Sequence, residues 1–283
     1  MTNRDRWNSF RQNRAALAAA ILLLCLIVAA IAGPSLLYLH NHCDYATQDF
    51  TNRLQSPTWL HPLGTDTLGR DVLVRDLYGF RVSLLVGLVA TLFSVAIGAV
   101  YGAVSAYIGG WVDDLMMRLL DIIYALPILI LIIILFSLFD RNLFLLVIAL
   151  GSISWLSMAR IVRGQVLTLR NEQFIDAARL LGKSPAAILW RHILPNTLGP
   201  VIVTATLTVP TVVLWEAFLS YLGLGVQAPL PSLGNLASDG AQVMALYPPM
   251  LLGPAVMLVL SLVSLNLIGD GLRDALDPKS RKL

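Results

Sequence analysis

One stretch carries the residue types of a nucleotide site. Gly182-Lys183-Ser184 matches the end of the phosphate-binding loop G-x-x-x-x-G-K-[ST]. Such a loop follows a strand and holds phosphate with the backbone amides of a glycine-rich turn. Here Ala177 occupies the first glycine position, and the residues before Gly182 are those of a helix. The sequence therefore predicts no nucleotide site and no catalytic residue at this position.

A second group of polar residues lies within or beside long apolar runs. A charged side chain at the centre of a bilayer costs about 2.5–3.5 kcal/mol, so such residues must face protein or water. We expect these side chains to line a transport pathway or a subunit interface. For Asp121, the alternative is a structural ion pair near the cytosolic side. The residues are Asp121, Glu216, Asn266 and Asp270.

Other chemistries fit the sequence less well. Gly151-Ser152-Ile153-Ser154 suggests an intramembrane hydrolase, but no histidine lies in an apolar run to activate a serine. A proton-coupled carrier using Asp121 and Glu216 should show an inverted repeat with paired broken helices, which the sequence lacks. The cluster from His40 to Asp44, with His42 and Cys43, has no regular ligand spacing, so no metal site is predicted.

The composition is that of an integral membrane protein. The 283 residues are 57% hydrophobic and 13% charged, with a mean hydropathy of +0.74, whereas a soluble domain has about a quarter charged residues. Six apolar runs are long enough to span a bilayer as helices, which takes about twenty residues each. They are 15–39, 82–106, 119–139, 143–161, 198–222 and 247–268. The fold class is therefore all-α, and no basic face with interleaved aromatic residues indicates a nucleic-acid partner.

The distribution of basic residues predicts the topology. With the N-terminus in the cytosol, fifteen of the Lys and Arg residues fall on the cytosolic side and five outside. The positive-inside rule then places both termini and the long polar segment 171–197 in the cytosol. The predicted units are a cytosolic tail (1–14), a first span (15–39), an exterior loop (40–81), a core membrane domain (82–271) that includes 171–197, and a second tail (272–283).

Segment 171–197 has the pattern of a short helix-turn-helix. Asp176-Ala177-Ala178 begins one helix, and Gly182 ends it in a left-handed turn. Ser184 and Pro185 have the types expected at the start of a second helix, which Leu194-Pro195 should stop. Before this segment, Arg160 and Arg163 are expected at the membrane surface, in contact with lipid phosphate or a helix C-terminus.

Glycine and proline mark the other irregular segments. An ordered exterior loop is predicted around Gly64-Thr65-Asp66 and Gly69-Arg70-Asp71, and another exterior loop or re-entrant segment over 223–234. Pro127 should kink the third span. Gly98 and Gly102, four residues apart in the second span, should allow another helix to approach closely.

Several of these motifs resemble the permease subunits of binding-protein-dependent ABC importers. Their cytosolic loop reads E/D-A-A, three residues, Gly, nine residues, I-x-L-P. Here the loop has Asp176-Ala177-Ala178, Gly182 and His192-Ile193-Leu194-Pro195, in which His192 replaces the usual Ile. The G-T-D-x-x-G-R-D motif at 64–71, the E-A-x-L-S-F-L-G-L-G motif from Glu216 and the terminal N-x-x-G-D-x-L-R-D-x-L-D-P are similar to the dipeptide, oligopeptide and nickel branch.

This resemblance implies a type I importer permease of six helices in the bacterial cytoplasmic membrane. It implies that force from ATP hydrolysis enters through the loop, at Asp176, Ala177, Ala178, Gly182, Leu194 and Pro195. The implied partners are a second homologous permease subunit, two cytosolic ATPases and an external binding protein. ATP and Mg would be bound by those ATPases, with no cofactor on this chain. The substrate implied is a peptide, with nickel or another small chelate as the alternative.

Overall fold

A computed structural model describes residues 10–139 and 141–276, and most of these residues are helical, with the longest non-helical stretch at 42–71. The predicted tails, 1–14 and 272–283, lie largely outside the described residues. Within the described residues no strand forms, and the single β-bridge joins Thr65 to Asp71. The helices are α1 (Arg14–Asn41), α2 (Val72–Ile108), α3 (Gly110–Ala125), α4 (Ile128–Leu138), α5 (Leu143–Leu169), α6 (Gln173–Leu180), α7 (Pro185–Tyr221), α8 (Leu233–Gln242) and α9 (Pro249–Leu276).

Five of these helices are long and apolar enough to cross a membrane, namely α1, α2, α5, α7 and α9. A sixth crossing is present if α3 and α4 together form one span, and these two helices meet at an angle of 81°. The break lies at Leu126 and Pro127, which both have extended backbone. The expected kink at Pro127 is therefore confirmed, because proline cannot donate the hydrogen bond that would continue α3.

Helix α2 begins earlier than the sequence predicted. Asp71 caps it by accepting a hydrogen bond from the backbone N–H of Val74 at 2.8 Å, so helix replaces the last quarter of the predicted loop 40–81. With 37 residues at about 1.5 Å each, α2 is about 55 Å long. It therefore extends well beyond the hydrocarbon core, which is about 30 Å thick.

The prediction that Leu194-Pro195 stops the second helix of the loop is wrong. The chain passes from Pro185 through a π-helical segment at Leu189–Ile193 and continues to Tyr221 without a break. The wider π turn lets the chain enter Pro195 without ending the helix, and the N–H of Leu194 bonds to the carbonyl of Leu189. The loop's second helix is thus the beginning of a membrane helix.

Part of the predicted exterior segment 223–234 is also helical. Helix α8 begins after Ser232, which forms a capping box with Asn235: the Ser232 hydroxyl accepts from the Asn235 N–H, and the Asn235 side chain accepts from the Ser232 N–H. The Ser232 and Asn235 spacing is the signal that predicts this helix start. Gly234 then brings α8 against the carbonyl of Ala217 on α7.

Helices α2 and α5 form the closest helix pair of the membrane body. A Cβ on Gly98 would lie 2.7 Å from the carbonyl oxygen of Trp155, and one on Gly102 would collide with the carbonyl oxygen of Ala159. The backbones therefore touch at these two glycines, which confirms the packing role predicted from their spacing. Helix α7 packs beside this pair, and α9 and α1 complete the body.

Helix α1 is attached to α2 through a proline and an arginine. Pro34 has no N–H, so the carbonyl of Ala30 one turn earlier loses its partner within the helix. Arg81 of α2 donates from Nε to that carbonyl and from Nη2 to the Ile31 carbonyl at 2.7 Å. The same guanidinium lies over the ring of Tyr78, 4.6 Å from its centroid. Arg81 thus donates a hydrogen bond to the Ala30 carbonyl, which Pro34 leaves without a donor inside the membrane.

This arrangement predicts coupling between Arg81 and Pro34. Arg81→Met should destabilise the protein by about 1–3 kcal/mol, because it leaves a buried carbonyl without a donor. In a Pro34→Ala background the restored N–H supplies that donor, so Arg81→Met should cost measurably less. Thermal unfolding of the four detergent-purified proteins gives the coupling. Equal costs of Arg81→Met in both backgrounds would show that the Ala30 carbonyl does not depend on Arg81.

The topology is testable at two exposed residues, Ser56 of the exterior loop and Ser184 of the predicted cytosolic segment. Each is changed to Cys in a background with Cys25 and Cys43 replaced by Ser. A membrane-impermeant maleimide added to intact cells should label Ser56→Cys, and label Ser184→Cys only after permeabilisation. The reverse pattern would mean that the chain is inverted.

Candidate functional site

The first helix of the cytosolic segment, α6, ends in a Schellman motif. The N–H of Lys183 donates to the Ala178 carbonyl at 3.2 Å, and that of Gly182 donates to the Arg179 carbonyl at 2.9 Å. Gly182 has a φ of +71°, as its predicted left-handed turn requires. Ser184 then caps α7, accepting from the Ala187 N–H at 3.3 Å. The predicted helix, turn and helix start are confirmed.

This segment is packed into the membrane body. Ile175 and Ala178 of α6 are buried against the cytosolic ends of α2, α5 and α7, in a cluster with no gap between loop and body. Burying one such isoleucine contributes about 1.5–3 kcal/mol. The members on the other helices are Ala103, Ala106, Met158, Val162, Val166, Ile188, Leu189, Ile193 and Val201. A displacement of α6 must therefore move these three helices.

The two alanines of the motif have different surroundings. Ala178 faces the chain's own core, whereas Ala177 and Asp176 are exposed. The outer surface also carries Leu180 and Leu181, which are 89% and 78% exposed. Leu194 is half-buried and Pro195 is exposed. The surface open to another protein therefore includes Asp176, Ala177, Leu180 and Leu181. Ala178 does not contribute to it, because it is buried.

The Gly182-Lys183-Ser184 sequence has no phosphate-binding geometry. Lys183 Nζ lies 2.8 Å from His192 Nε2, and the Ser184 hydroxyl is occupied by the cap of α7. The residues before Gly182 form a helix, whereas a phosphate-binding loop follows a strand. The geometry agrees with the interpretation of this stretch as a turn between helices.

A groove runs along the membrane body between the bent pair α3 and α4, α5 and α7. Its larger part has a volume of about 510 Å³, and an adjoining cavity of about 470 Å³ shares Ile161, Thr204 and Leu207 and reaches Gln165 and Arg273. Among the described residues, no charged side chain lines the larger part. Its polar lining is Tyr124, Ser154, Ser157, Thr204, Thr208, Thr211 and Trp215.

Two ion pairs join α3 to α5 near the cytosolic segment. Asp113 accepts from Nε and Nη2 of Arg163 at 2.7 and 2.6 Å. Asp121 accepts from Arg160 Nη2 at 2.7 Å. We expected both arginines to contact lipid phosphate or a helix C-terminus. In the structure they form these ion pairs instead. Sequence reasoning missed Asp113, for which the first turn of α3 offered no distinctive pattern.

Glu216 is fully buried within this single chain. Its Oε1 accepts from the Ser220 hydroxyl at 2.7 Å, and Ser220 in turn accepts from the Val226 N–H. Ser83 of α2 is close by and accepts from the Leu233 N–H at the start of α8. In this conformation Glu216 has no exposed surface, so it reaches neither the groove nor a surface where a second subunit would pack.

The other two predicted pathway residues lie away from the groove. Asn266 is exposed and donates to the Leu262 carbonyl at 2.8 Å, one turn earlier in α9. Asp270 is exposed one turn further along the same helix. Neither residue lines the two cavities, although Arg273 of the same helix lines the smaller one.

The exterior motif 64–71 forms a compact turn around Asp66. Asp66 Oδ1 accepts from the N–H groups of Leu68 and Arg70, and Oδ2 accepts from Arg70 Nε at 2.6 Å. The hydroxyl of Thr65 bonds to the Asn52 carbonyl at 2.5 Å. Gly64 and Gly69 both have positive φ, and side chains there would strike neighbouring backbone. The expectation of an ordered loop is confirmed by this geometry.

Charged side chains fix this exterior loop to the helices below it. Arg75 of α2 lies 3.3 Å from Asp66 and 3.9 Å from Asp239 of α8. Burial raises the pKa of Asp239, and Arg75 opposes that rise. Asp71 pairs with His61 at 2.8 Å. Asp239 belongs to no predicted motif, because its pairing with Arg75 joins elements that are distant in sequence.

The cluster at His40, His42, Cys43 and Asp44 holds no metal-binding arrangement. Among the described residues, no group of three His, Cys, Asp or Glu side chains is placed to hold an ion. His40 Nε2 instead lies 3.3 Å from the carbonyl oxygen of Trp59.

Comparisons with known proteins agree with this geometry. Residues 94–282 match the model for the binding-protein-dependent transport system inner membrane component. The chain belongs to this family. Residues 3–57 also match the N-terminal TM domain of oligopeptide transport permease C. Such a permease is a multi-pass protein of the bacterial inner membrane, in agreement with the apolar helices.

Individual relatives match over nearly the whole chain. The oligopeptide transport system permease protein OppC of Bacillus subtilis (strain 168) is 43% identical, over 99% of this chain and 90% of the relative. That of Haemophilus influenzae is 47% identical, over 98% and 88%. The dipeptide permease DppC of Bacillus subtilis is 42% identical, over 98% and 86%.

A solved structure shows the same fold. The MetNI methionine ABC transporter in an inward-facing conformation superposes with a TM-score of 0.57 at 22% identity, over 70% of this chain and 94% of the solved one. The permease fold predicted from the sequence is confirmed, and the cytosolic location of segment 171–197 stays a prediction.

Proposed function

We propose that this chain forms half of the translocation pathway of an ATP-driven importer of peptides. The observation that carries the proposal is the burial of Ile175 and Ala178 of α6 among the membrane helices. A loop built in this way transmits a push from the cytosol to α2, α5 and α7. The peptide substrate is supported by the relatives named as oligopeptide and dipeptide permeases.

The proposed partners are supported by the family match and by the relatives named above. Two cytosolic ATPase subunits would serve the importer, one of them receiving Asp176, Ala177 and the leucine pair of this loop. A second homologous permease subunit would close the groove, and an external binding protein would deliver the peptide. ATP and Mg would be held by the ATPases, so this chain supplies no catalytic group.

The groove supports a passage for peptides of differing charge. Its larger part is lined by apolar groups and hydroxyls, without a charged side chain that would hold one sign of substrate. Three of the hydroxyls, on Ser154, Thr208 and Thr211, donate to carbonyls of their own helices. Their remaining lone pairs accept hydrogen bonds from N–H groups of a passing peptide.

Substitution at Gly182 tests the loop's role. Gly182→Val places a β-branched residue at positive φ, which costs on the order of 1–3 kcal/mol of strain and displaces α6. The variant should assemble but lose most binding-protein-stimulated ATPase activity and uptake of radiolabelled trialanine in proteoliposomes.

The controls separate mechanical from chemical effects. Gly164→Val on α5 meets open space and needs no positive φ, so it should retain activity. Lys183→Ala should also retain most of it. Full uptake by Gly182→Val would contradict the proposed role of the loop, and no uptake by the unaltered complex would contradict the peptide substrate.

A further inference from the structure

Helix α3 is held to α5 by the buried side chain of Leu120, which packs on Leu156 and Ala159, and by two ion pairs that differ in strength. At the first, the Asp113 carboxylate is 9% exposed and receives two bonds from Arg163 and one from the Ser105 hydroxyl. Ser105 belongs to the end of α2, so this contact joins three helices. Three donors on one enclosed carboxylate make a permanent attachment.

The second contact is of a different kind. Asp121 and Arg160 share a single hydrogen bond, and their side chains are 64% and 42% exposed. In a groove filled with water, an exposed ion pair of this kind contributes little net stability, because water competes for both partners. This pair can therefore open and close at little cost, whereas the Asp113 pair cannot.

The weak pair lies beside the groove. The Arg160 guanidinium also covers the ring of Tyr124 at 4.5 Å, and Tyr124 lines the larger part of the groove. Ile161, the residue after Arg160, lies where the two cavities meet. The Arg160 guanidinium therefore links Asp121 to an aromatic residue of the groove, so a movement of this guanidinium reaches Tyr124.

A bend between α3 and α4 follows directly after Tyr124. Leu126 and Pro127 are extended, and α4 leaves at 81° to α3. Beyond the hinge, Ile132 and Phe136 are buried in the core with α5 and α7. The C-terminal end of α3 therefore lies between a fixed contact at Asp113 and a fixed helix α4, and Asp121 is the contact that can be released.

The arginines connect this end to the cytosolic segment. Arg160 and Arg163 lie on α5, flanking Val162, which packs in the cluster that contains Ile175 and Ala178 of α6. A shift of α6 would therefore act on α5, the helix that carries both arginines.

We propose that the Asp121–Arg160 pair is the releasable latch of a gate at the cytosolic end of the groove, with Asp113–Arg163 as its fixed anchor and Leu126-Pro127 as its hinge. Release of the latch moves Tyr124 relative to the groove and opens or closes the passage. Asp121 and Arg160 are positioning residues, which act through Tyr124. The proposal rests on the proposed transport function.

The experiment uses the complete complex in proteoliposomes, with Cys25 and Cys43 replaced by Ser. Asp121→Cys and Arg160→Cys are combined and joined by a short bismaleimide. Cross-linking should lower trialanine uptake several-fold relative to the same double-Cys complex before treatment, while the reagent should leave the uptake of each single-Cys variant at that variant's own untreated level. Uptake by the untreated parent tests the transport function separately, and undiminished uptake by the cross-linked complex would overturn the latch.

Charge variants distinguish a latch from a structural contact. Asp121→Asn should assemble normally but raise ATPase activity in the absence of binding protein several-fold, because the gate is no longer restrained. The exchange Asp121→Arg with Arg160→Asp should return that basal activity toward the parent value. Asp113→Asn should instead lower the yield of assembled complex. If Asp121→Asn also reduces assembly and leaves basal ATPase activity unchanged, the pair is structural and the proposal fails.

Discussion

The backbone contact between α2 and α5 at Gly98 and Gly102 is the constraint on which the rest of the structure depends. Because the helices touch there, the end of α2 lies close enough to α5 for Ser105 to meet the Asp113–Arg163 pair. The same close packing of α2 on α5 forms part of the buried cluster that contains Ile175 and Ala178. The groove on the other side of α5 keeps its shape because separating this pair would lose the close van der Waals packing at both glycines.

Polar groups in the membrane body are placed where the chain itself can satisfy them. Arg81 supplies the donor that Pro34 withholds from Ala30, and Ser220 supplies one to Glu216. These contacts stiffen the side of the molecule away from the groove. The groove side carries the Asp121–Arg160 pair, whose release the proposed gate requires.

Local patterns in the sequence predicted much of this arrangement. Apolar runs gave the spans, Gly182 and Ser184 the turn and the cap, and Pro127 the bend. Features that depend on tertiary contacts were not predictable. The helix continues through Pro195 because a π turn precedes it, Glu216 is enclosed because α8 folds over it, and Asp113 pairs with a residue fifty positions away. The burial of Ala178 was missed because its partners come from three separate helices.

We propose that the cytosolic loop transmits motion and performs no nucleotide chemistry. Equilibrium binding of a fluorescent ATP analogue to the purified chain, without ATPase partners and with Mg present, tests this most directly. The account predicts no saturable binding and no hydrolysis. Saturable binding abolished by Lys183→Ala would contradict it and make Gly182-Lys183-Ser184 a nucleotide site.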